Sequence, residues 1–164
     1  MTCAVRSLGL DLPTPPHPVG AYSAVILRGG LGFVSGQFPL SEGVMCSVSS
    51  LHESPQIEDY RSAARMAALN VLAQIRKALG SWKRFEGLCR VEGIIAAPSG
   101  FTSHAAVLDG ASETFLELLG PLRGAHARSA MSSVSLPGDA AVELVVTFAV
   151  RPTSRFPIPD HDVL

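Results

Sequence analysis

The stretch VELVVTFAV, residues 142–150, predicts a strand with apolar side chains on both of its faces. Side chains alternate between the two faces of a strand, so these nine residues fall into two sets. One face carries Val142, Leu144, Val146, Phe148 and Val150, and the other carries Glu143, Val145, Thr147 and Ala149. Both faces need a cover, and we expect helices on one side and a partner subunit on the other.

The run before this strand predicts a further strand that contains an arginine. Alternation over residues 126–134 places His126, Arg128, Ala130 and Ser132 on one face. The turn signal at 136–139, LPGD, joins the two runs, so we expect Arg128 and Glu143 on strands that pair with each other. A guanidinium can grip a small carboxylate, and a nearby carboxylate can hold or deprotonate a water. The alternative is a salt bridge between strands or subunits, and the pattern leaves both interpretations open.

The first half of the chain predicts a hairpin followed by a long helix. Gly29-Gly30 suits a tight turn between strands at about 22–28 and 31–37. Apolar residues at spacings of three and four predict a helix over Gln56–Leu79 that stops at Gly80. Residues 41–55 are typical of a connection with one short edge strand.

The second half adds a strand, a helix and the two strands already described. The run 88–97 predicts a strand, and residues 103–120 a second helix that is broken at Gly110 or begins late, near Asp109. The order β-β-α-β-α-β-β indicates an α+β domain with two helices on one face of a mixed sheet. We expect a proline-rich extended leader at 1–17, a single domain at 18–151 and an irregular tail at 152–164.

The composition excludes several classes of function. The 164 residues are 47% hydrophobic and only 16% charged, against a usual charged share of roughly 25%, which suggests an oligomer. The net charge is −1 without a Lys/Arg block, so we expect no nucleic-acid partner. Three widely spaced cysteines predict a reducing, cytoplasmic setting, and no stretch approaches the roughly 20 apolar residues of a membrane span. No nucleotide motif or metal-ligand spacing is present in the sequence, so no cofactor and no metal are predicted.

An ordered set of motifs resembles the YjgF/RidA family, whose members are also called endoribonuclease L-PSP. The set consists of PVGAYSAVI, FVSGQFPL, VLDGASETF and HARSAMSSVSLPGDAAVEL, and the resemblance covers roughly residues 18–150. The resemblance implies a chorismate-mutase-like fold and a homotrimer around a central barrel, with a cleft at each subunit interface. Such an assembly would also cover the second apolar face of residues 142–150.

The resemblance also implies the residues of a binding cleft. In deaminating members the arginine of the P-A-R-S motif binds a carboxylate and a glutamate orders the attacking water; Arg128 and Glu143 occupy these positions. The substrate-binding positions that carry over are Tyr22, Ser35, Gly36, Asp109 and Ala130. Asp109 stands where asparagine is usual, and Ala130 stands where cysteine is usual. An ionised Asp109 would repel a bound carboxylate, which leaves the substrate open.

Three functions remain as hypotheses from different classes. The first is hydrolytic deamination of small enamine or imine carboxylic acids, such as 2-aminoacrylate or 2-iminopropionate, without a cofactor. The second is a non-catalytic trimer that binds a small carboxylate. The third is the ribonuclease of the family's older name, which the near-neutral charge disfavours.

Overall fold

The structure of the protein is a computed structural model that describes residues 12–46 and 56–152. Its strands are β1 (Val25–Arg28), β2 (Leu31–Gln37), β3 (Leu40–Ser41), β4 (Val44–Met45), β5 (Phe85–Ala96), β6 (Ala127–Ser133) and β7 (Val142–Val150). Its helices are α1 (Ile57–Leu79) and α2 (His104–Arg123). Five strands form one sheet in the order β1-β2-β7-β5-β6, and β3 pairs with β4 in a separate small sheet.

The predicted hairpin and long helix are confirmed. β1 and β2 pair antiparallel across Gly29-Gly30, whose φ values of 56° and 80° suit a tight hairpin turn. α1 begins one residue later than predicted, and Gly80 follows its last residue as expected. Acidic Glu58 and Asp59 lie in its first turn and basic Arg76 and Lys77 in its last, so the charges at both ends of α1 match the helix dipole.

The predicted pairing of the last two strands is wrong. β7 pairs antiparallel with β2 and β5, whereas β6 pairs parallel with β5 at the edge of the sheet. Two apolar faces suit β7 to the middle of the sheet, while the largely exposed β6 suits an edge. Because parallel neighbours need a crossover, α2 links β5 to β6 in a β-α-β unit, and the LPGD segment is not a hairpin turn.

The second helix neither breaks nor starts at Asp109. α2 begins at His104, and Gly110 lies inside it, where a Cβ would stand 2.3 Å from the Arg61 carbonyl oxygen of α1. Gly110 therefore permits the close approach of the two helices rather than interrupting one of them. The backbone leaves helical geometry at Gly120, the end of the predicted range, and α2 continues beyond this kink to Arg123.

The helices cover one face of the five-stranded sheet and form the core with it. The β7 residues on this face are buried, as are the facing positions of β5, which include Val91 and Ile95. A run of small residues on α1 lets the helix lie close to the sheet and to α2: Ala63, Ala64, Ala67 and Ala68. The prediction of two helices on one face of a mixed sheet is confirmed.

The structure describes only parts of the segments that flank the sheet and the helices. Residues 12–18 have no regular secondary structure, and the Gln74 side chain donates a 2.6 Å hydrogen bond to the Pro16 carbonyl. The described part of the predicted connection at 41–55 contains the short strand β4 and the last residue of β3, with which β4 pairs. Predictions for residues 1–11, 47–55 and 153–164 lie outside the described residues. Within the described ranges, no helix is long and apolar enough to cross a membrane.

Candidate functional site

The Glu143 carboxylate lies on the sheet face that the helices leave open. Glu143 is opposite Ile94 in β5, and its Oε1 would be 1.8 Å from a Cβ built on Gly36. Only a glycine at position 36 leaves room for the carboxylate in this position. Burial raises the pKa of the Glu143 carboxyl above its ordinary value. Within residues 12–46 and 56–152, no hydrogen bond or ion pair holds this carboxylate.

A β-bulge in β2 shapes the backbone beside Glu143. The β2 and β7 register shifts between Val34 and Gln37, so Ser35 and Gly36 have no register partners in β7. The Ser35 hydroxyl donates to the Ser23 carbonyl at 2.8 Å, which ties the segment before β1 to the bulge. Tyr22, on that segment, is 47% exposed and lines the same small cleft as Gly36. We call Tyr22, Ser35, Gly36 and Glu143 the Glu143 half-site.

Buried amide side chains behind the bulge fix its position, and two of them, Asn70 and Gln74, are not among the residues predicted from the sequence. The Gln37 side chain donates to the carbonyls of Ser35 and Gly36 at 2.9 and 3.1 Å. Gln74 of α1 contacts Gln37, and Asn70 donates to the Phe38 and Leu40 carbonyls just beyond β2. Two amides four residues apart on the apolar face of α1 were the signal that could have revealed this support.

The Arg128 side chain lies on the opposite, helix-covered face. Arg128 pairs in register with the buried Val91 and reaches α2, where its Nη1 donates to Asp109 Oδ1 at 2.9 Å. The same nitrogen donates to Ser112 Oγ at 3.0 Å. The Arg128 side chain is 25% exposed and that of Asp109 is 46% exposed, so solvent reaches both partners. Within the described residues, Arg128 Nε and Nη2 have no hydrogen-bond partner.

Ser112, which is not among the residues predicted from the sequence, connects Arg128 to His126. His126 Nδ1 lies 2.6 Å from the Gly124 carbonyl, which can only accept, so Nδ1 donates this hydrogen bond. His126 Nε2 contacts Ser112 Oγ at 2.9 Å, and Ser112 accepts from Arg128. Ser112 follows Asp109 by three residues, on the same helix face, which is the signal that was available.

We call Asp109, Ser112, His126, Arg128 and Ala130 the Arg128 half-site. Ala130 shares the helix-covered face with Arg128, opposite Gly93, and is exposed. β5 separates β6 from β7, which places the two strands about 10 Å apart at ordinary strand spacing. One chain therefore does not bring Arg128 and Glu143 together, because they also point to opposite faces of the sheet.

The open face of the sheet carries a set of exposed apolar side chains on β1, β2 and β6, with the charged Arg90 and Glu92 of β5 between them. Its large members are Ile26, Leu31, Phe33 and Met131, which are 37–45% exposed. Ile26 is opposite Phe33, and Ile94 links Glu143 to Met131 across neighbouring strands. An apolar sheet face next to an unpartnered carboxylate is typical of a surface that a further protein chain covers.

The fold defines a class of small α+β proteins in which helices cover one face of a mixed sheet and leave the other face open. In this chain the candidate residue Arg128 lies on the covered face and Glu143 lies on the open face. A family profile described as "YjgF/chorismate mutase-like, putative endoribonuclease" matches residues 3–150. The chain belongs to this family, which confirms the resemblance drawn from the motifs.

Individual relatives agree with this assignment. Protein TCP17 of Trypanosoma cruzi is 32% identical over 140 residues, which cover 85% of this chain and 88% of TCP17. A structure named "putative endoribonuclease" from Shewanella oneidensis is 27% identical with a TM-score of 0.81, covering 89% of this chain and 96% of its own. The protein Atu1372 from Agrobacterium tumefaciens, of unknown function, is 29% identical with a TM-score of 0.80 over 90% of both chains.

A more distant structure, E. coli TdcF with bound serine, shares the fold. It is 22% identical with a TM-score of 0.61, covering 85% of this chain and 94% of its own.

Proposed function

We propose that the protein hydrolyses small enamine or imine carboxylic acids at a cleft between two copies of the chain in a homotrimer. The observation that carries the proposal is the Glu143 carboxyl, half-buried beside the bulge, with a raised pKa and no partner within the described ranges. A carboxyl with these properties is suited to orient a water and to accept its proton.

The reaction needs few groups. Water adds to the C=N carbon of a 2-imino acid, and the resulting tetrahedral adduct loses ammonia to leave a 2-oxo acid. An enamine acid first takes a proton on its β-carbon to become the iminium, which is the protonated form of the imine. In our proposal Arg128 binds the substrate carboxylate through its Nε and Nη2 edge, and Glu143 orients the water. Such imines already hydrolyse in water, so positioning and one charge clamp supply the needed acceleration.

A second copy of the chain would complete the site. Arg128 and Glu143 lie on opposite faces of one sheet, so a substrate that touches both needs Arg128 from one copy and Glu143 from another. The apolar open face supplies the contact surface for such an assembly. In this arrangement Tyr22, Ser35 and Gly36 form one wall of the cleft, and Asp109 and Ala130 form the other.

The test is the rate at which 2-iminopropionate disappears. The imine is generated in place by an amino-acid oxidase, and the remainder is trapped with semicarbazide. We expect the wild type to accelerate its loss and Glu143→Gln to reduce the acceleration about a hundredfold, the usual size for loss of a positioned acid or base. Arg128→Ala should also abolish the acceleration, mainly through weaker binding.

Two matched substitutions control for charge and for fold. Arg65→Ala removes an exposed arginine from α1, and Glu117→Gln removes an exposed carboxylate from α2. Both should keep wild-type rates. If the wild type does not exceed the background rate, or if the Arg128 and Glu143 variants match these controls, the proposed reaction is wrong.

A second candidate, a trimer that binds a small carboxylate without turnover, is favoured by the Arg128–Asp109 ion pair. Asp109 occupies Nη1 and offsets the charge of the guanidinium, which lowers the charge stabilisation available to a reaction, whereas Nε and Nη2 have no partner within the described residues and can still bind a carboxylate. In that case the wild type would bind lactate or alanine but would not accelerate imine loss. Arg128→Ala would abolish the binding. RNA cleavage with a steep salt dependence would instead support the ribonuclease of the family's name.

A further inference from the structure

His126 holds Ser112 in place beside the guanidinium of Arg128. The His126 ring packs edge-on against Phe115, with 5.7 Å between the ring centroids and 86° between the ring planes, and its Nδ1 donates to the Gly124 carbonyl. These two contacts leave Nε2 directed at Ser112 Oγ, 2.9 Å away. The partly buried Ser112 hydroxyl is therefore fixed by His126 on one side and by Arg128 on the other.

Arg128 Nη1 carries two hydrogens, and both of them have acceptors on α2. Asp109 Oδ1 accepts at 2.9 Å and Ser112 Oγ accepts at 3.0 Å. Two acceptors on one nitrogen fix the orientation of the guanidinium plane. Within the described residues Nε and Nη2 have no partner, and they form the edge that the proposed function assigns to a ligand carboxylate.

The contact between Asp109 and Arg128 is not the usual one for such a pair. A carboxylate beside an arginine ordinarily accepts from two guanidinium nitrogens at once, and the arrangement through Nε and Nη2 would use the open edge itself. Asp109 is 46% exposed, and in the described part of the chain its Oδ2 has no partner. A turn of the guanidinium toward Asp109 would therefore close this edge against a ligand.

We infer that His126 is a positioning residue that, through Ser112, keeps the Nε and Nη2 edge of Arg128 open. The inference rests on the proposed function, because it takes this edge as the ligand anchor. Without the nitrogens of the His126 ring, Ser112 is free to adopt other rotamers, Nη1 loses an acceptor, and the guanidinium turns its open edge toward Asp109. A ligand must then displace Asp109, so it binds less tightly, while bound substrate reacts at the same rate.

The test compares two histidines that each contact a serine where α2 meets β6. His126→Phe keeps a ring against Phe115 and removes both ring nitrogens. The matched control is His104→Phe, which removes the 2.5 Å contact of His104 Nε2 with Ser132 Oγ. Imine hydrolysis gives KM and kcat for each variant. Proton–nitrogen NMR reports the Arg128 Nε–H group, whose signal is assigned by its absence in Arg128→Ala.

We expect His126→Phe to raise KM about fivefold at unchanged kcat and to move the Arg128 Nε–H signal downfield, as Asp109 takes the open edge. Asparagine has a single acceptor oxygen, so His126→Phe should change neither quantity in an Asp109→Asn background. Ser112→Ala should reproduce both effects, and it replaces His126→Phe if that variant does not fold. His104→Phe should match the wild type.

The outcomes separate this inference from the proposed function. If Arg128→Ala abolishes imine loss but His126→Phe matches His104→Phe, or has the same effect in the Asp109→Asn background, the inference is wrong and the proposed function stands. An Nε–H signal that His126→Phe leaves unchanged overturns the inference whether or not the protein hydrolyses imines. If the wild type hydrolyses no imine, the dissociation constant of L-lactate replaces KM, with the same expected ratios. A wild type that also fails to bind lactate overturns both.

Discussion

Phe148 and Phe33 lie on adjacent strands but on opposite faces of the same sheet. Phe148 is fully buried under the helices, whereas Phe33 is 44% exposed on the open face. The half-sites follow the same division: Arg128 is held by side chains of α2, and Glu143 has no such partner within the described ranges. One face of the sheet is thus covered by helices of the same chain, and we expect a second copy of the chain to cover the other face.

The largest effect should come from a matched pair of phenylalanine truncations. Phe148→Ala leaves a cavity against Phe85 and α1, and we expect it to lower the free energy of unfolding by about 4 kcal/mol. Phe33→Ala should cost less than about 1 kcal/mol when the protein is dilute enough to be dissociated. Chemical denaturation of both variants measures the difference. Equal costs would mean that the two faces do not differ as described.

The next effect concerns assembly through the open face. Phe33→Asp places a charge where we expect a second copy to cover the surface, so the dissociation constant of the oligomer should rise at least about a hundredfold. Light scattering coupled to size exclusion, over a range of protein concentrations, measures this change. The exposed Leu122, which lies at the end of α2, provides Leu122→Asp as a control. A wild type that is monomeric at every concentration would contradict the proposed assembly.

A third comparison concerns two glycines, Gly36 and Gly110, at which other atoms leave no room for a Cβ. At Gly36 an added Cβ would meet the end of the flexible Glu143 side chain, whereas at Gly110 it would meet the Arg61 backbone. Gly36→Ala should therefore displace the carboxylate and lower the imine-hydrolysis rate about tenfold, with little loss of stability. Gly110→Ala should instead lower stability by about 2 kcal/mol. Thermal melts and the rate assay on both variants measure the two effects. A large loss of stability in Gly36→Ala, or an unchanged stability in Gly110→Ala, would contradict this assignment.

The elements that were predicted correctly have local signals. The Gly29-Gly30 turn, the periodicity of α1 and the two apolar faces of β7 are all contained in short stretches of sequence. The pairing of β6 was predicted wrongly because it depends on where α2 carries the chain after β5. The polar character of β6, compared with the apolar β7, was the local evidence for an edge position.

The candidate site was also predictable only where local sequence signals were sufficient. Arg128 and Glu143 were identified by residue type, as rare charges in apolar surroundings and as family positions. Their location on opposite faces required the strand order, which no local pattern contains. The Asp109 contact with Arg128 also depends on the placement of α2 over β6, and Ser112 matters only once that contact is known.

The smallest effect concerns the pH dependence of stability on the open face. Burial raises the pKa of Glu143, so the folded state binds this proton more tightly than the unfolded state does. Its contribution to stability is therefore greatest below the ordinary glutamate pKa and is lost as pH rises through the raised pKa. Glu143→Gln removes the titration. We expect the variant to gain stability relative to the wild type as pH rises through that window.

Denaturant unfolding of the wild type and Glu143→Gln, from about pH 4 to about pH 8, measures this difference across the window. Glu117→Gln removes an exposed carboxylate, so its stability relative to the wild type should not rise with pH in this way. A second copy that covers the open face would bury Glu143 further, so the difference should grow with protein concentration. A difference that falls with pH would mean that the carboxylate is stabilised in its charged form, and the open face would then hold a partner for it.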